Sequence, residues 1–535
     1  MLACLLFLVY TIAVAWVAGI CTTALINRVV GVPADVQHPT ITVLSGLCFI
    51  AVLLQLFHLF HAIDSWAHIY IWVILALLWW FTKGYHPTVK WQLGVSGYAL
   101  LVVTVVAACI NASGRAGTGD IGDYHLQAIR WMEEYAAVPG LGNLRRQLGN
   151  NSNWFLLHSF TGLHFTDLRS VYTLNTVLLI SGIAFFIPQS NDPFLKLKTV
   201  ILIYLSAMAY RKYVGAVTND YAITVYTLVF WSWLYMQQSM NAAKVLLIAF
   251  ITLTMITFKL SAIAGAVIPM WLYITSADKR KLTVSLAMVA LLILIPWLYT
   301  TYIHSGYFVY PLAQTGFLNP DWQMPAEQLK FERDINIANE RVPGIDVAAV
   351  LAMPFTTWFP LWLQKLDYFS MILLLAGLCA VVFHVIQFAK SKKSHTLHAL
   401  FISVIAVALV IWFTQAPAIR FVFGVLVFFI AYTFQSVSLS GIHTRANYLI
   451  HYVCIGIMVA GNVVFLKQIK NPAWLYPEPY TSQTMNYVNL KNGYVWQPAA
   501  GEQCWDSPLP CTGLLNKNMV WRSKNMQEGF RIEND

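Results

Sequence analysis

Charge is what this chain has least of. Of 535 residues only 10% are Asp, Glu, Lys or Arg, 58% are hydrophobic, and the mean hydropathy is +0.62. Soluble domains run near a quarter charged, so the composition excludes one and reads as a polytopic membrane protein. Acids are scarcer than bases, 23 against 33. The net charge of +10 is what Lys- and Arg-rich cytoplasmic loops produce, and no nucleic-acid partner is expected. Zincin, Walker, Gly-x-Ser-x-Gly and dinucleotide signatures are also missing, which removes the common soluble-type active sites. The first apolar run, residues 2–20, has no basic segment ahead of it and reads as a retained span, not a cleaved signal peptide.

What is present is a succession of apolar runs. They lie at about 2–20, 41–61, 68–82, 93–110, 171–187, 196–210, 220–237, 243–258, 260–275, 282–302, 366–388, 397–413, 418–437 and 447–466. The expectation is an all-α membrane protein of about fourteen spans, with a transmembrane domain over 1–466 and a polar tail over 467–535. Alternate short loops carry Arg28, Lys83 with Lys90, Lys196 with Lys198, Lys244, Lys279-Arg280-Lys281, Lys390 with Lys392 and Lys393, and Arg445. The positive-inside rule makes these cytoplasmic. Loops 111–170 and 303–365 and the tail then face outward, with juxtamembrane helices on that side.

Of eight cysteines, six sit in or beside apolar runs and read as packing residues. Cys504 and Cys511 flank a Pro-kinked stretch, Trp505-Asp506-Ser507-Pro508-Leu509-Pro510, in the tail. A disulfide is expected there, as an oxidising compartment would keep it; zinc is the alternative.

The stretch richest in chemistry is Gly119-Asp120-Ile121-Gly122-Asp123-Tyr124-His125, leading into Leu126-Gln127-Ala128-Ile129-Arg130-Trp131. At helical spacing Asp123, Gln127, Arg130 and Glu134 share one face, while Leu126, Ile129 and Met132 share another. The pattern predicts an amphipathic helix lying on the bilayer, with Trp131 and Tyr135 at headgroup level. Asp120 and Asp123 are candidate catalytic carboxylates or, as the bland alternative, helix caps. His125 is a candidate proton donor or a packed interfacial histidine. Asp220 is a candidate third carboxylate, with an N-cap as its alternative.

Three outward turns break the charge rule, holding Arg211-Lys212, Lys259 and Arg420. Each alone is explained by snorkelling. Together, on the side of Asp120 and Asp123, they predict a site for an anionic membrane-embedded group such as a lipid phosphate or pyrophosphate. Arg130 is held in reserve for the same role. A divalent metal at Asp120 and Asp123 is left open.

A first large outward loop that starts with an acidic residue and runs into a juxtamembrane helix resembles the GT-C superfamily of integral-membrane glycosyltransferases. Asp123 through Val138-Pro139 is similar to the acidic start and Val-Pro end of that loop in the lipid A aminoarabinose transferase and protein mannosyltransferase branches. Asp123 falls where those families place their catalytic Asp. The chain departs from the pattern in having about four runs before this loop, where one is usual, and in Asp-Tyr where Asp-Glu is common. Tyr124 to Trp131, Val138 to Leu144, Ala416-Pro417 with Arg420-Phe421, and Cys504-Trp505 with Pro508 to Thr512 resemble more closely a family of bacterial polytopic proteins. What the GT-C resemblance implies is sugar transfer from a polyprenyl-(pyro)phosphate donor to an envelope glycan, lipid or protein acceptor, on the outer face of a bacterial inner membrane. Asp123 would be the base, and Lys259, Arg211 and Arg420 the phosphate clamp with Lys212 and Arg130 behind them. Two other classes compete: a flippase or transporter for lipid-linked glycans, and a non-catalytic subunit of an envelope assembly. The first should show mid-span charges or repeated halves, and neither is visible.

Overall fold

The computed structural model describes residues 2–533 apart from 33–35, 115–118, 167–169, 190, 210–212, 277–278, 391–395, 438–444, 469–476, 478–479 and 481–482. It is 71% helical. Among the described residues seven helices are long and apolar enough to cross a bilayer: Leu2–Val30, Pro39–His58, Val95–Ser113, Lys279–Ser305, Tyr368–Lys390, Thr396–Gln415 and Ile419–Ser436. Seven, and not the expected fourteen, is the count. An apolar run reports burial, whereas crossing a core of about 30 Å takes about 20 helical residues. Leu174–Phe186 has 13 residues, roughly 20 Å at 1.5 Å each. Leu260–Ala266 winds as a 3-10 helix before Val267–Thr275 continues as α.

Pro39–His58 is the central helix, with 89% of its most apolar stretch buried against 22% for Lys279–Ser305 at the periphery. It crosses Leu2–Val30 with the two backbones in contact. A Cβ on Gly19 would stand 1.8 Å from the Thr42 carbonyl oxygen, and one on Gly46 would stand 1.8 Å from that of Ala15. Small residues allow this approach where lipid tails supply no hydrophobic drive between helices.

Polar side chains inside the bundle tie down chain ends that carry charge. The helix Ala242–Phe258 ends at Phe258, whose orphaned carbonyl accepts from Ser152 Oγ at 2.7 Å and Asn219 Nδ2 at 2.9 Å. That fixes the next residue, Lys259. Asn175 Nδ2 lies 2.9, 2.8 and 3.1 Å from the carbonyls of Tyr213, Ala216 and Thr218, and so pins the turn before Asp220. Thr218, not Asp220, caps the following helix Asn219–Met236.

Segment 303–365 carries helices Ala326–Arg341, Val347–Ala352 and Phe355–Lys365. It meets segment 111–170 where the buried Glu332 holds Arg146 at 3.3 Å. The tail forms two antiparallel hairpins, Met485–Leu490 with Gly493–Pro498 and Met519–Trp521 with Phe530–Ile532. Its Val495, Leu509 and Phe530 belong to the same apolar core as the bundle.

The Gly46 contact yields a test. Gly46→Ala forces the two helices apart and should destabilise by about 1–3 kcal/mol, read as a lower Tm in detergent. Gly456, with open space around its Cα, should accept alanine without loss. Equal Tm values for the two variants would contradict the crossing.

Candidate functional site

The Asp-rich stretch begins as a π-turn, Ile121–His125, and becomes α-helical over Leu126–Glu134. Such wide turns gather at functional positions. Neither Asp120 nor His125, the residues preceding the two segments, makes a side-chain cap bond. The helix is amphipathic, but its polar face meets protein and not the bilayer surface. Gln127 is 1% exposed, its Nε2 donating to the carbonyls of Trp505 at 3.1 Å and Ser507 at 2.9 Å. Arg130 donates to Glu134 at 2.6 Å and to the Asp506 carbonyl at 2.9 Å. Trp131, expected at headgroup level, is 2% exposed and meets the Phe530 ring edge-on at 5.9 Å. An amphipathic pattern records two unlike environments without saying which is lipid; here the polar one is the tail.

The tail's docking point is Gly122. Its carbonyl accepts from Trp505 N at 2.9 Å, and a Cβ there would lie 2.5 Å from the Trp505 ring. Gln503 Nε2 reaches the Gly119 carbonyl at 3.0 Å. Cys504 and Cys511 are disulfide-bonded with Cα atoms 6.0 Å apart, closing the loop that carries Trp505, Asp506 and Ser507.

Asp123 is ion-paired with Arg145, whose Nη1 also donates to the Glu502 carbonyl at 3.0 Å. The arginine side chain is 5% exposed and the carboxylate 25%. Burial raises the Asp123 carboxyl above the usual range against the pull of Arg145. Asp123 thus ties its turn to the tail, while Asp120 is exposed. His125 is buried with its ring 4.9 Å from that of Phe155. Burial lowers it to about 4, with Asp120 and Asp220 opposing and Lys259 and Arg420 adding to the shift. The imidazole is therefore neutral near pH 7 and lies within the electrostatic reach of both groups.

The second group is an alternating chain of charges. Lys259 pairs with Asp220; Arg420 Nε lies 3.3 Å from Asp220 Oδ2; Arg420 Nη2 is 2.8 Å from Glu340 Oε1; Lys365 Nζ is 3.7 Å from Glu340 Oε2. Three cations face two carboxylates. The Asp220 side chain is 11% exposed, so Lys259 reaches inward and does not snorkel. Both Lys259 and Arg420 lie over the Phe421 ring, at 3.8 and 4.9 Å from its centroid. The other face of this region is a cavity of about 550 Å³ lined mainly by apolar groups, among them Trp231, Met255, Leu260, Trp412 and Phe421, with Arg333 and Asn336 at its polar side.

The structure therefore brings Asp120, His125, Asp220, Lys259 and Arg420 into one electrostatic neighbourhood. Asp123 is engaged by Arg145, and Arg130 belongs to the tail contact. Arg211 and Lys212 lie outside the described residues. Among those described, no group of three or more His, Cys, Asp or Glu is placed to hold a metal ion. Sequence reasoning missed Arg145, Glu340 and Lys365. Arg145-Arg146 is a basic pair in a segment assigned outward, the very signal that singled out Lys259; Glu340 and Lys365 lie in a long segment where the charge rule has no force.

Seven long apolar helices make this a multi-pass membrane protein. The chain belongs to the family described as Domain of unknown function (DUF8201), whose profile matches residues 1–427. No curated protein and no solved structure matches it. The matched stretch contains both charged groups and ends before the disulfide loop.

Glu133 gives a pH test of the tail junction. It is 6% exposed, with Oε1 lacking a hydrogen bond among the described residues and Oε2 3.7 Å from His164. Burial, then the Asp506 charge, raises its carboxyl well above the usual range. A carboxyl that titrates higher when folded favours folding at low pH, and that contribution is lost as pH rises from the ordinary carboxylate range into the raised one. Glu133→Gln should therefore have a higher Tm than wild type at pH 8, with the gap closing towards pH 4. A gap independent of pH would refute the assignment.

Proposed function

We propose that this protein is a membrane glycosyltransferase that moves a sugar from a polyprenyl-(pyro)phosphate donor to an envelope glycan, lipid or protein, at the outer face of a bacterial inner membrane. The observation that carries the reading is the apolar cavity of about 550 Å³ walled by Phe421, with Lys259 and Arg420 on the same ring. An amphiphile with an isoprenoid chain and one phosphate matches that pair of environments. The charge chain begins and ends with a cation, and its surplus positive charge complements a phosphate.

In this reading the leaving phosphate gathers charge as the acceptor attacks the anomeric carbon, and Lys259 and Arg420 stabilise it. The acceptor's proton goes to a carboxylate. Asp123 is the residue that the resemblance to GT-C enzymes implies, but Arg145 occupies it. Asp120, exposed and acting on both His125 and Arg420, is the better placed base.

Transfer from a polyprenyl-phosphate sugar, followed in purified protein, separates the roles. Asp120→Asn should keep Tm and lipid binding and lose turnover by about a hundredfold or more. Asp123→Asn should lower Tm, because it strands the buried Arg145 guanidinium. Lys259→Met should weaken donor binding by roughly ten- to a hundredfold. If Lys259→Met binds donor as wild type and only melts earlier, the charge chain is a structural latch and the transferase reading falls.

A further inference from the structure

Arg420 stands between two cavities of opposite character. Its neighbour Phe421 lines the apolar one; Arg420 itself lines a second, of about 200 Å³, together with Glu340, Lys365, Asp367, Ser370 and Tyr213. Four remote segments meet there: the end of the helix Ala326–Arg341, the junction between Phe355–Lys365 and Tyr368–Lys390, the turn at Tyr213, and the 3-10 turn Ile419–Val422.

Among the described residues the lining is dense in hydrogen-bonding groups yet balanced in charge. Glu340 accepts from Arg420 at 2.8 Å and lies 3.7 Å from Lys365. Asp367 accepts from the Ser370 backbone N–H at 3.0 Å and hydroxyl at 2.8 Å. Among the described residues two carboxylates, two cations and two hydroxyls line this space. Such a lining suits a neutral ring bearing many hydroxyls, since carboxylates accept from hydroxyls while ammonium and guanidinium donate to them. Phe369 and Phe423 border the pocket and offer apolar faces to the ring's C–H groups.

Resting on the function proposed above, we infer that this pocket receives the sugar carried by the donor, and that the sugar is a single neutral monosaccharide. A phosphate held by Arg420, with its isoprenoid chain along Phe421, has its other substituent directed beyond Arg420, where the polar pocket lies. The volume of about 200 Å³ suits one ring.

The experiment measures affinity of the full-length protein in lipid nanodiscs for polyprenyl phosphate, polyprenyl-phosphoglucose and polyprenyl-phosphomannose. Wild type should prefer at least one hexosyl lipid over the bare phosphate. Asp367→Asn should reduce that preference by about tenfold or more, the loss of a charged hydrogen bond, with affinity for the bare phosphate unchanged; Lys365→Met should reduce it likewise and also weaken the bare phosphate, because Lys365 is the end cation of the charge chain. Asp367→Asn retains a side-chain acceptor for Ser370, and a wild-type Tm certifies its fold. Lys259→Met should weaken all three lipids alike. If both pocket variants keep the wild-type preference, weaken every lipid equally, or if wild type shows no preference, the pocket is not the sugar site, while the function reading stands on bare-phosphate binding. If wild type binds none of the lipids, both fall.

Discussion

The site depends on one buried carboxylate. Asp220 holds Lys259, from the end of one helix, and Arg420, from the 3-10 turn that opens another. Its neutralisation would leave two cations facing each other over Phe421, and breaking a buried pair in this way destabilises by about 3–5 kcal/mol, less for the partly exposed Arg420. Everything around Asp220 serves to place it. Asn175 pins the preceding turn, and Ser152 and Asn219 complete the helix end that presents Lys259. Glu340 and Lys365 extend the alternation to the surface segment.

A second assembly covers the acidic turn. The disulfide-closed loop of the tail lays Trp505 on Gly122 and satisfies Gln127 and Arg130 with backbone carbonyls, and Glu502, just ahead of the loop, does the same for Arg145. The polar face of the helix Leu126–Glu134 thus has protein acceptors in place of water. Asp123 and Arg145 connect the cover to the turn, and Asp120 stays exposed at its edge.

Much of this was legible in the residues and some was not, for physical reasons. Lys259 and Arg420 stand out in the sequence because they break the charge rule in turns expected to face outward, and the structure supplies Asp220 and Glu340 as their partners. The apolar runs fold as helices, but not all as the spans expected, because hydropathy measures transfer from water and a helix inside a bundle is as dry as one in lipid. Leu174–Phe186, wholly buried and 13 residues long, shows why run counting doubled the number of spans. The Asp123–Arg145 pair is separated by 22 residues, with a turn between that no periodicity describes. The tail's docking depends on the bare Cα of Gly122, and a glycine in sequence does not say what approaches it.

Density for a donor lipid tests the account most directly: a cryo-EM reconstruction of the protein in nanodiscs with polyprenyl phosphate added. The account predicts a phosphate within hydrogen-bond distance of Lys259 Nζ and Arg420, with isoprenoid density running along Phe421 into the apolar cavity. A phosphate bound elsewhere, with Lys259 and Arg420 still closed on Asp220, would contradict it.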